Sequence, residues 1–310
     1  MLPPAVDPPS SDRLAWAEPY LNGYAACPLC EGKSWQNLYE IGILKVHCCR
    51  GCSLMFLNPC LMPEEQKLIF SSPEMLKKVS LFFAHYHNDR SWSTPKTTEI
   101  YRSVLAQMEG LLPGKGTLLD VGCGKGAFLV LAKEMGWQTV GLEPNFNAAE
   151  TLRKQHDIPA LDCDFFDPRV AEQMYDVISL WDLIEHTPNP KIWMERCRAL
   201  LKPGGLLVIA TPNHASLLDG LAHWACRLSF GRVPAGLEKL YTIDHTLYLT
   251  GATLADLFQR TDFRVLKTIK VNTDLSRYHM SAAFRVFAEI LLAASWAFNL
   301  QNRVVMIGSK

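Results

Sequence analysis

Residues 117–145 of the chain read TLLDVGCGKGAFLVLAKEMGWQTVGLEPN. The short apolar run at residues 118–121 is typical of a strand that is buried on both faces in a parallel sheet. A glycine-rich turn follows at residues 122–126, where glycine permits positive φ angles and a close approach of the backbone to a ligand. Residues 127–135 have helical spacing, and residues 138–142 predict a second strand. The stretch therefore predicts one βαβ half-unit whose glycine turn lies at the carboxyl end of a strand, where open α/β sheets bind ligands.

Glycines and acids in this stretch indicate the type of ligand. The pattern Asp-x-Gly-x-Gly-x-Gly is formed by Asp120, Gly122, Gly124 and Gly126. Glu143 follows the second strand, where a carboxylate can accept hydrogen bonds from a ribose diol. The same turn also satisfies the permissive dinucleotide pattern Gly-x-Gly-x-x-Ala, which ends at Ala127. The turn alone therefore predicts a nucleoside-like cofactor and leaves a dehydrogenase as an alternative.

Two downstream segments separate these alternatives. The Asp-x-Gly-x-Gly-x-Gly pattern resembles motif I of class I methyltransferases that use S-adenosylmethionine. Residues 175–186, YDVISLWDLIEH, look like the fourth strand and following loop of that family, and residues 200–213, LLKPGGLLVIATPN, look like its turn into the fifth strand. Three matches in the family's order favour it over a dehydrogenase. The resemblance implies an α/β fold with a Rossmann-like, seven-stranded, mostly parallel sheet and helices on both faces.

The resemblance also implies which residues contact S-adenosylmethionine. The glycine turn brings its backbone to the methionine part, and the acid in the first strand orients the loop or the amino group. The acid after the second strand holds the ribose, and residues 161–166 carry the end of a third strand beside the adenine. The tryptophan that ends the fourth strand faces the sulfonium, and a tyrosine from a segment over the cofactor shields it. The implied cofactor-binding residues are Asp120, Gly122, Gly124, Gly126, Glu143, Asp164, Phe165, Trp181 and Tyr86.

Two Cys-x-x-Cys pairs near the amino terminus predict a metal site. They are Cys27 with Cys30 and Cys49 with Cys52, with eighteen residues between the pairs. This spacing is typical of a zinc ribbon, in which four thiolates close the shell of a structural zinc ion and leave no open position. Gly32 and Gly51 are expected to supply the flexible backbone of the two turns. A rubredoxin-like iron site is the alternative metal, and His47 or Cys48 could replace Cys49 as a ligand.

These features divide the chain into a flexible, proline-rich tail at residues 1–20, a zinc ribbon at 21–62 and a methyltransferase domain at 63–310. Within that domain, residues 214–248 predict an insertion that covers the substrate as a lid. The ribbon, the Leu-Asn-Pro turn after it and the glycine core resemble a bacterial group that includes sugar C-methyltransferases. The core is also similar to the ubiquinone-biosynthesis O-methyltransferases. An apolar helix face in the insertion indicates a lid, a hydrophobic substrate, a core helix or a dimer helix, and consists of Leu217, Leu218, Leu221, Trp224, Leu228 and Phe230.

Methylation of an oxygen or carbon atom requires removal of a proton, and histidine has a suitable pKa for this role. His245 lies in residues 244–248, which resemble the family's His-x-x-x-Phe-Thr element, and is predicted as the general base or a substrate contact. His186, in the loop after the fourth strand, is the second candidate and is also interpreted as a residue that fixes this loop. Tyr241 and His214 are further candidates.

The composition restricts the class of protein. In 310 residues, 31 basic side chains balance 31 acidic ones, which argues against a general nucleic-acid or anionic-membrane binder. No signal peptide is recognisable, and the ten cysteines include several in core segments, which favours the reducing cytoplasm. The most apolar helical stretch, residues 282–300, contains Arg285 and Glu289, so no transmembrane segment is predicted and an oligomer is possible.

The sequence therefore predicts methyl transfer from S-adenosylmethionine to the oxygen or carbon of a small molecule or glycosyl precursor, either hydrophobic or sugar-linked. A catalytically inactive S-adenosylmethionine-binding partner or scaffold protein is the alternative, because the glycine turn predicts cofactor binding and not turnover. The neutral charge disfavours a nucleic-acid substrate.

Overall fold

The structure is a computed structural model that describes residues 15–61, 64–66, 94–229, 235–277 and 282–310. Tyr86 and most of the predicted tail lie outside the described residues. The strands are β1 (Leu21–Asn22), β2 (Trp35–Ile41), β3 (Leu44–Cys49), β4 (Met55–Leu57), β5 (Cys60–Leu61), β6 (Thr117–Val121), β7 (Gln138–Leu142), β8 (Ala160–Leu161), β9 (Tyr175–Trp181), β10 (Leu201–Pro212), β11 (Leu247–Tyr248), β12 (Arg264–Val271) and β13 (Arg303–Ser309). The α-helices are α1 (Pro95–Glu109), α2 (Ala127–Glu134), α3 (Phe146–His156), α4 (Pro190–Leu200), α5 (Leu217–Leu228), α6 (Ala235–Leu240), α7 (Gly251–Arg260) and α8 (Ala282–Ala297).

The main sheet has seven strands in the order β12, β13, β10, β9, β6, β7, β8. β13 runs antiparallel to both of its neighbours, and all other adjacent pairs are parallel. Alternate side chains of the central strands enter two separate core clusters, with Leu119 and Ile178 in one and Leu118 and Val177 in the other. Such strands are apolar on both faces because helices cover both sides of the sheet. The predicted Rossmann-like fold class is confirmed.

The strand order reverses between β6 and β9, which lie side by side although β7 and β8 separate them in the sequence. In open α/β sheets, a crevice for ligands forms outside the carboxyl ends of the strands at such a point. The glycine turn follows β6 at this edge, and the loop that begins at Asp182 follows β9. The fold therefore brings the two predicted halves of the site together.

A smaller, four-stranded antiparallel sheet contains the cysteine pairs and has the order β11, β4, β3, β2. Its edge strand β11 comes from the end of the predicted insertion, where Leu247 pairs with Phe56. The side chains of Tyr241 and Tyr248 are buried in one cluster with Val46 and other residues of the small sheet. The small sheet and the segment before α7 consequently share a hydrophobic core.

The third parallel strand is shorter than predicted. Instead of extending through residues 161–166, β8 ends at Leu161. Asp164 then forms a turn, because its side chain accepts a hydrogen bond from the backbone N–H of Phe166 and its carbonyl accepts one from Asp167. Among the described helices, none combines the length and the apolar character needed to cross a membrane.

Candidate active site and metal centre

The glycine turn after β6 has the backbone that its sequence predicts. Gly122, Gly124 and Gly126 have φ angles of 69°, 52° and 76°, all in the left-handed region that favours glycine. A Cβ atom at Gly126 would collide with the side chain of Leu152 on α3, so this glycine permits close packing of the loop. A Cβ atom at Gly124 would meet no atom of the described residues within 4 Å. Gly124 therefore faces open space into which a ligand can approach the backbone.

Glu143 connects the turn to the next strand. Its Oε2 atom accepts a hydrogen bond of 2.9 Å from the N–H of Gly124, and its Oε1 atom accepts one of 3.0 Å from Asn145. Burial raises the pKa of Glu143. Each carboxylate oxygen has a further lone pair, so the side chain can hold the loop and still accept hydrogen bonds from a diol. Asn145 also caps α3 by accepting from Ala148, a contribution that the sequence analysis missed.

Asp120 lies beneath this turn and is buried. Ser179 of β9 donates a 2.6 Å hydrogen bond to its Oδ1 atom, and burial raises the pKa of Asp120 to about 7. The carboxyl group thus joins the two strands at the point where the sheet order reverses. This position fits the predicted role of orienting the loop.

The aromatic residues predicted to contact the cofactor lie in two clusters. Trp181 packs edge-on against Tyr101 of α1 at 4.7 Å between ring centroids and lies 5.0 Å from Phe128, two residues after the glycine turn. Its Nε1 atom has no hydrogen-bond partner among the described residues. Phe165 is buried and stacks on Trp193, whereas the neighbouring Phe166 is exposed. Asp164 is half-buried at the same turn.

Two predicted base candidates lie against each other. The rings of His186 and His245 are 4.7 Å apart between centroids, and Nδ1 of His186 donates a 2.7 Å hydrogen bond to the carbonyl oxygen of Asp244. The carboxylate of Asp244 lies 3.7 Å from Nε2 of His245, too far for a hydrogen bond. Burial lowers the pKa of His245 to about 3, so this imidazole is neutral at pH 7 and a weak proton acceptor.

A third histidine forms a much closer pair with a carboxylate. Nδ1 of His214, directly after β10, lies 2.8 Å from Oδ1 of Asp219. Asp219 also accepts a hydrogen bond from the hydroxyl of Ser216, which caps α5. The Nε2 atom of His214 is buried and has no partner among the described residues. His214 is among the candidates predicted from the sequence and Asp219 is not, although the capping pattern Ser-x-x-Asp could have indicated Asp219.

Tyr241 faces the small sheet. Its hydroxyl lies 2.8 Å from Nε2 of His223, and burial raises the pKa of Tyr241. Its ring stacks in parallel on the ring of His214 at 5.9 Å between centroids and on Tyr39 of β2 at the same separation. Tyr241 thus connects the small sheet to His214, and its predicted catalytic role stays a prediction.

Three of the described residues in this region form a group that can hold a metal ion. Ligand atoms of Glu185, His186 and His245 lie within 4.8 Å of one another. Burial raises the pKa of Glu185 to about 7, and Thr211 donates a 3.0 Å hydrogen bond to its Oε2 atom. The backbone N–H and hydroxyl of Thr246 both bind the carbonyl of Glu185, so the segment that precedes β11 is fixed to the loop after β9.

Comparison with known proteins agrees with this geometry. The profile of a family described as "Methyltransferase domain" matches residues 94–268, more than half of the chain. The chain belongs to this family. Its fold and motifs are those of class I S-adenosylmethionine-dependent methyltransferases.

Individual relatives match parts of this methyltransferase. A ubiquinone biosynthesis O-methyltransferase of Bradyrhizobium sp. (strain ORS 278) is 31% identical over 100 residues, which cover 31% of this chain and 40% of that protein. Its namesake from Maricaulis maris (strain MCS10) is 28% identical over 144 residues, covering 44% of this chain and 56% of that protein. The matches therefore span about half of the length of these curated relatives.

A solved plantazolicin methyltransferase, in complex with a monoazolic desmethylPZN analog and SAH, shares the fold. It superposes with a TM-score of 0.52 at 17% identity, and the match covers 79% of this chain and 93% of that one.

The four predicted zinc ligands of the methyltransferase converge on one point. The sulfur atoms of Cys27, Cys30, Cys49 and Cys52 all lie within 4.8 Å of one another. The Cys27–Cys52 and Cys30–Cys49 sulfur separations are 3.6 and 3.4 Å, close to the about 3.8 Å edge of a ZnS₄ tetrahedron with 2.3 Å bonds. The hydrogen bond with Cys52 lowers the pKa of Cys27 to about 5. The donor set and its dimensions fit a zinc ion.

The left-handed backbone positions of the two cysteine turns are Glu31 and Ser53, each with a φ of 62° and each directly after the second cysteine of its pair. A Cβ atom at Gly32 would lie 3.3 Å from the sulfur of Cys30, so this glycine leaves room beside the sulfur atoms. The role of Gly32 and Gly51 as the flexible backbone of the turns stays a prediction.

Proposed function

We propose that the chain transfers the methyl group of S-adenosylmethionine to a hydroxyl oxygen of a small molecule. The observation that carries this proposal is the turn at Gly124, which faces open space while its N–H is held by Glu143. O-methylation is favoured because the curated relatives are named O-methyltransferases. Methylation of a carbon atom and a glycosyl acceptor, which the sequence also predicts, are the alternatives to O-methylation of a small molecule.

In this proposal the residues of the chain bind S-adenosylmethionine and orient it. S-adenosylmethionine supplies an electrophilic methyl group when it is bound. The turn receives the methionine part and Glu143 the ribose, while Asp164 and Phe165 lie on the side expected for the adenine. Trp181 closes the side next to Phe128. Fixed positions are important because alignment of the reacting groups supplies much of the acceleration of a displacement reaction.

The same proposal assigns removal of the acceptor proton to His214. Asp219 accepts from Nδ1 at 2.8 Å, which fixes the tautomer, stabilises the imidazolium and leaves the lone pair of Nε2 available. The pKa of His245, lowered to about 3 by burial, makes that residue a weaker base. His186 uses Nδ1 to bind the carbonyl of Asp244, which supports the interpretation that it fixes the loop.

We expect S-adenosylhomocysteine to stabilise the purified chain against thermal unfolding. A ligand that binds only the folded state adds about 2.7 kcal/mol to the free energy of unfolding at about 100 times its Kd. The measurement is a thermal melt over a ligand series, with NADH as the control. Stabilisation by NADH and none by S-adenosylhomocysteine would contradict the proposal. Methyl incorporation into a panel of hydroxylated metabolites then separates an enzyme from an inactive binding protein.

We also propose that Cys27, Cys30, Cys49 and Cys52 bind one structural zinc ion and that the protein works in the cytoplasm, where such thiolates stay reduced. The convergence of four sulfurs, with no fifth ligand grouped with them among the described residues, supports a closed site. Rubredoxin-like iron is the alternative metal.

Metal analysis of freshly purified protein is expected to give one zinc per chain. Cys30→Ser should lower the zinc content and reduce the free energy of unfolding by more than about 3 kcal/mol, because metal binding is coupled to folding. Cys48→Ser is the matched control, since the sulfur of Cys48 points to the backbone of Cys49 and stands outside the cluster. Equal loss of zinc in both variants, or no metal in the wild type, would contradict the assignment.

A further inference from the structure

Helices α5 and α8 pack against each other, and their solvent-exposed side is apolar. They meet through Leu218 of α5, which packs on Ala288 and Leu292 of α8 and on Leu275. Their outward side chains remain exposed, with exposed fractions of 65% at Trp224 and 72% at Leu228. We define the α5–α8 face by its exposed side chains Leu221, Trp224, Leu228, Val286, Phe287, Ile290, Trp296 and Phe298.

The pattern along α8 shows that this exposure is a property of one helix side. Ala288, Leu292 and Ser295 are buried and mark the inner side. Val286 and Ile290 are four residues apart on the other side, and Ala293 and Ala297 continue the same exposed row. A surface helix of a monomer normally presents charged and polar residues at these positions. The exposed row of α8 instead consists of apolar residues, which are typical of the buried side of a helix.

The area of the face is that of a protein interface. An aromatic side chain can bury about 150–250 Å². Eight large apolar side chains, each roughly half exposed or more, therefore present on the order of 800–1,000 Å². The largest apolar patch of a typical monomer is about 300–600 Å², whereas a stable dimer buries about 800 Å² on each partner.

We propose that the α5–α8 face is the interface with a second copy of this chain. Glu289 is exposed beside Ile290 on α8. Two copies related by a two-fold axis would each cover this face with the same face of the other copy, and its area is about the 800 Å² per partner that a stable dimer buries. A lipid surface fits less well because it would desolvate Glu289 without a partner, and membrane-surface helices are rich in lysine and arginine.

Sedimentation velocity of the full chain across the micromolar range tests this proposal. The wild type should reach twice the chain mass of 34.8 kDa as its concentration rises. Ile290→Asp should raise the dimer Kd by at least about tenfold, because it places a carboxylate at the centre of the interface. Ile192→Asp is the matched control, since Ile192 is exposed to a similar extent on α4 and should leave the dimer intact.

Thermal melts verify that each variant is folded, so that a lost dimer reports on the interface and not on unfolding. A wild type that remains monomeric at all concentrations would overturn the proposal, and this is also the result expected if another segment of the same chain covers the face. A monomer that sediments with phosphatidylglycerol vesicles, or a dimer that Ile290→Asp leaves unchanged, would overturn it as well.

Discussion

Gly124→Val is expected to abolish detectable binding of S-adenosylhomocysteine, with a loss of at least about a hundredfold in affinity. The physical reason is local. The Cβ position of Gly124 meets no atom within 4 Å in the part of the chain that the structure describes, so a valine side chain would project into the space proposed for the ligand. Valine also disfavours the φ of 52° that Gly124 adopts, which would turn its N–H away from Glu143. Isothermal titration calorimetry with S-adenosylhomocysteine measures the effect.

The control for this prediction is Gly204→Val. Gly204 has a φ of 75°, and a Cβ atom there also meets none of the described atoms within 4 Å, so valine introduces similar backbone strain and a similarly unhindered side chain. Gly204 lies at the beginning of β10, at the edge of the sheet opposite the glycine turn. Gly204→Val should lower the stability of the protein but leave its affinity for S-adenosylhomocysteine unchanged. If both variants bound S-adenosylhomocysteine normally, the cofactor would have to bind elsewhere.

Features that depend on local backbone geometry could be predicted from the sequence. The positive φ angles at Gly122, Gly124 and Gly126 favour glycine, and the buried strands β6 and β9 consist mostly of apolar residues. The convergence of the cysteine sulfurs follows from the fixed spacing of two short turns. These elements have the same conformation in many chains because the local sequence determines it.

Features that depend on distant contacts could not be predicted in the same way. β11 has only two residues and exists because Leu247 pairs with Phe56, about 190 residues earlier in the chain. The end of β8 is set by a competing side-chain turn at Asp164. The low pKa of His245 results from burial by several segments, which no single motif encodes. The pairing of His214 with Asp219 is local, but its role depends on where the loop after β10 and the first turn of α5 place the two side chains.

The small sheet is connected through paired strands to the segment that contains His245. Cys49 ends β3, β3 pairs with β4, and β4 pairs with β11. The residue before β11, Thr246, binds the carbonyl of Glu185 through both its N–H and its hydroxyl. Loss of the metal should therefore disturb the segment of His245 before it disturbs the glycine turn, which lies in the main sheet.

His214→Ala is expected to lower kcat by about 10²–10⁴-fold while the affinity for S-adenosylhomocysteine stays nearly unchanged. The expected loss follows from the Asp219–His214 pair, whose 2.8 Å contact directs the unpartnered Nε2 atom to accept a proton. Asp219→Asn should also slow the reaction, because an amide no longer stabilises the imidazolium. The sequence motif instead predicts this loss for His245→Ala, but a pKa near 3 makes that imidazole a poor acceptor.

The decisive measurement is the pH profile of the single-turnover rate for each variant, with a hydroxylated acceptor identified from the metabolite panel. Removal of the base should eliminate the acid limb of the profile only in His214→Ala, and Asp219→Asn should displace that limb. A positioning role would lower the rate without changing the shape of the profile. A normal rate in His214→Ala together with a lost acid limb in His245→Ala would return the role of base to His245, and would mean that ligand binding raises its pKa by exposing the ring or by bringing a negative charge close to it.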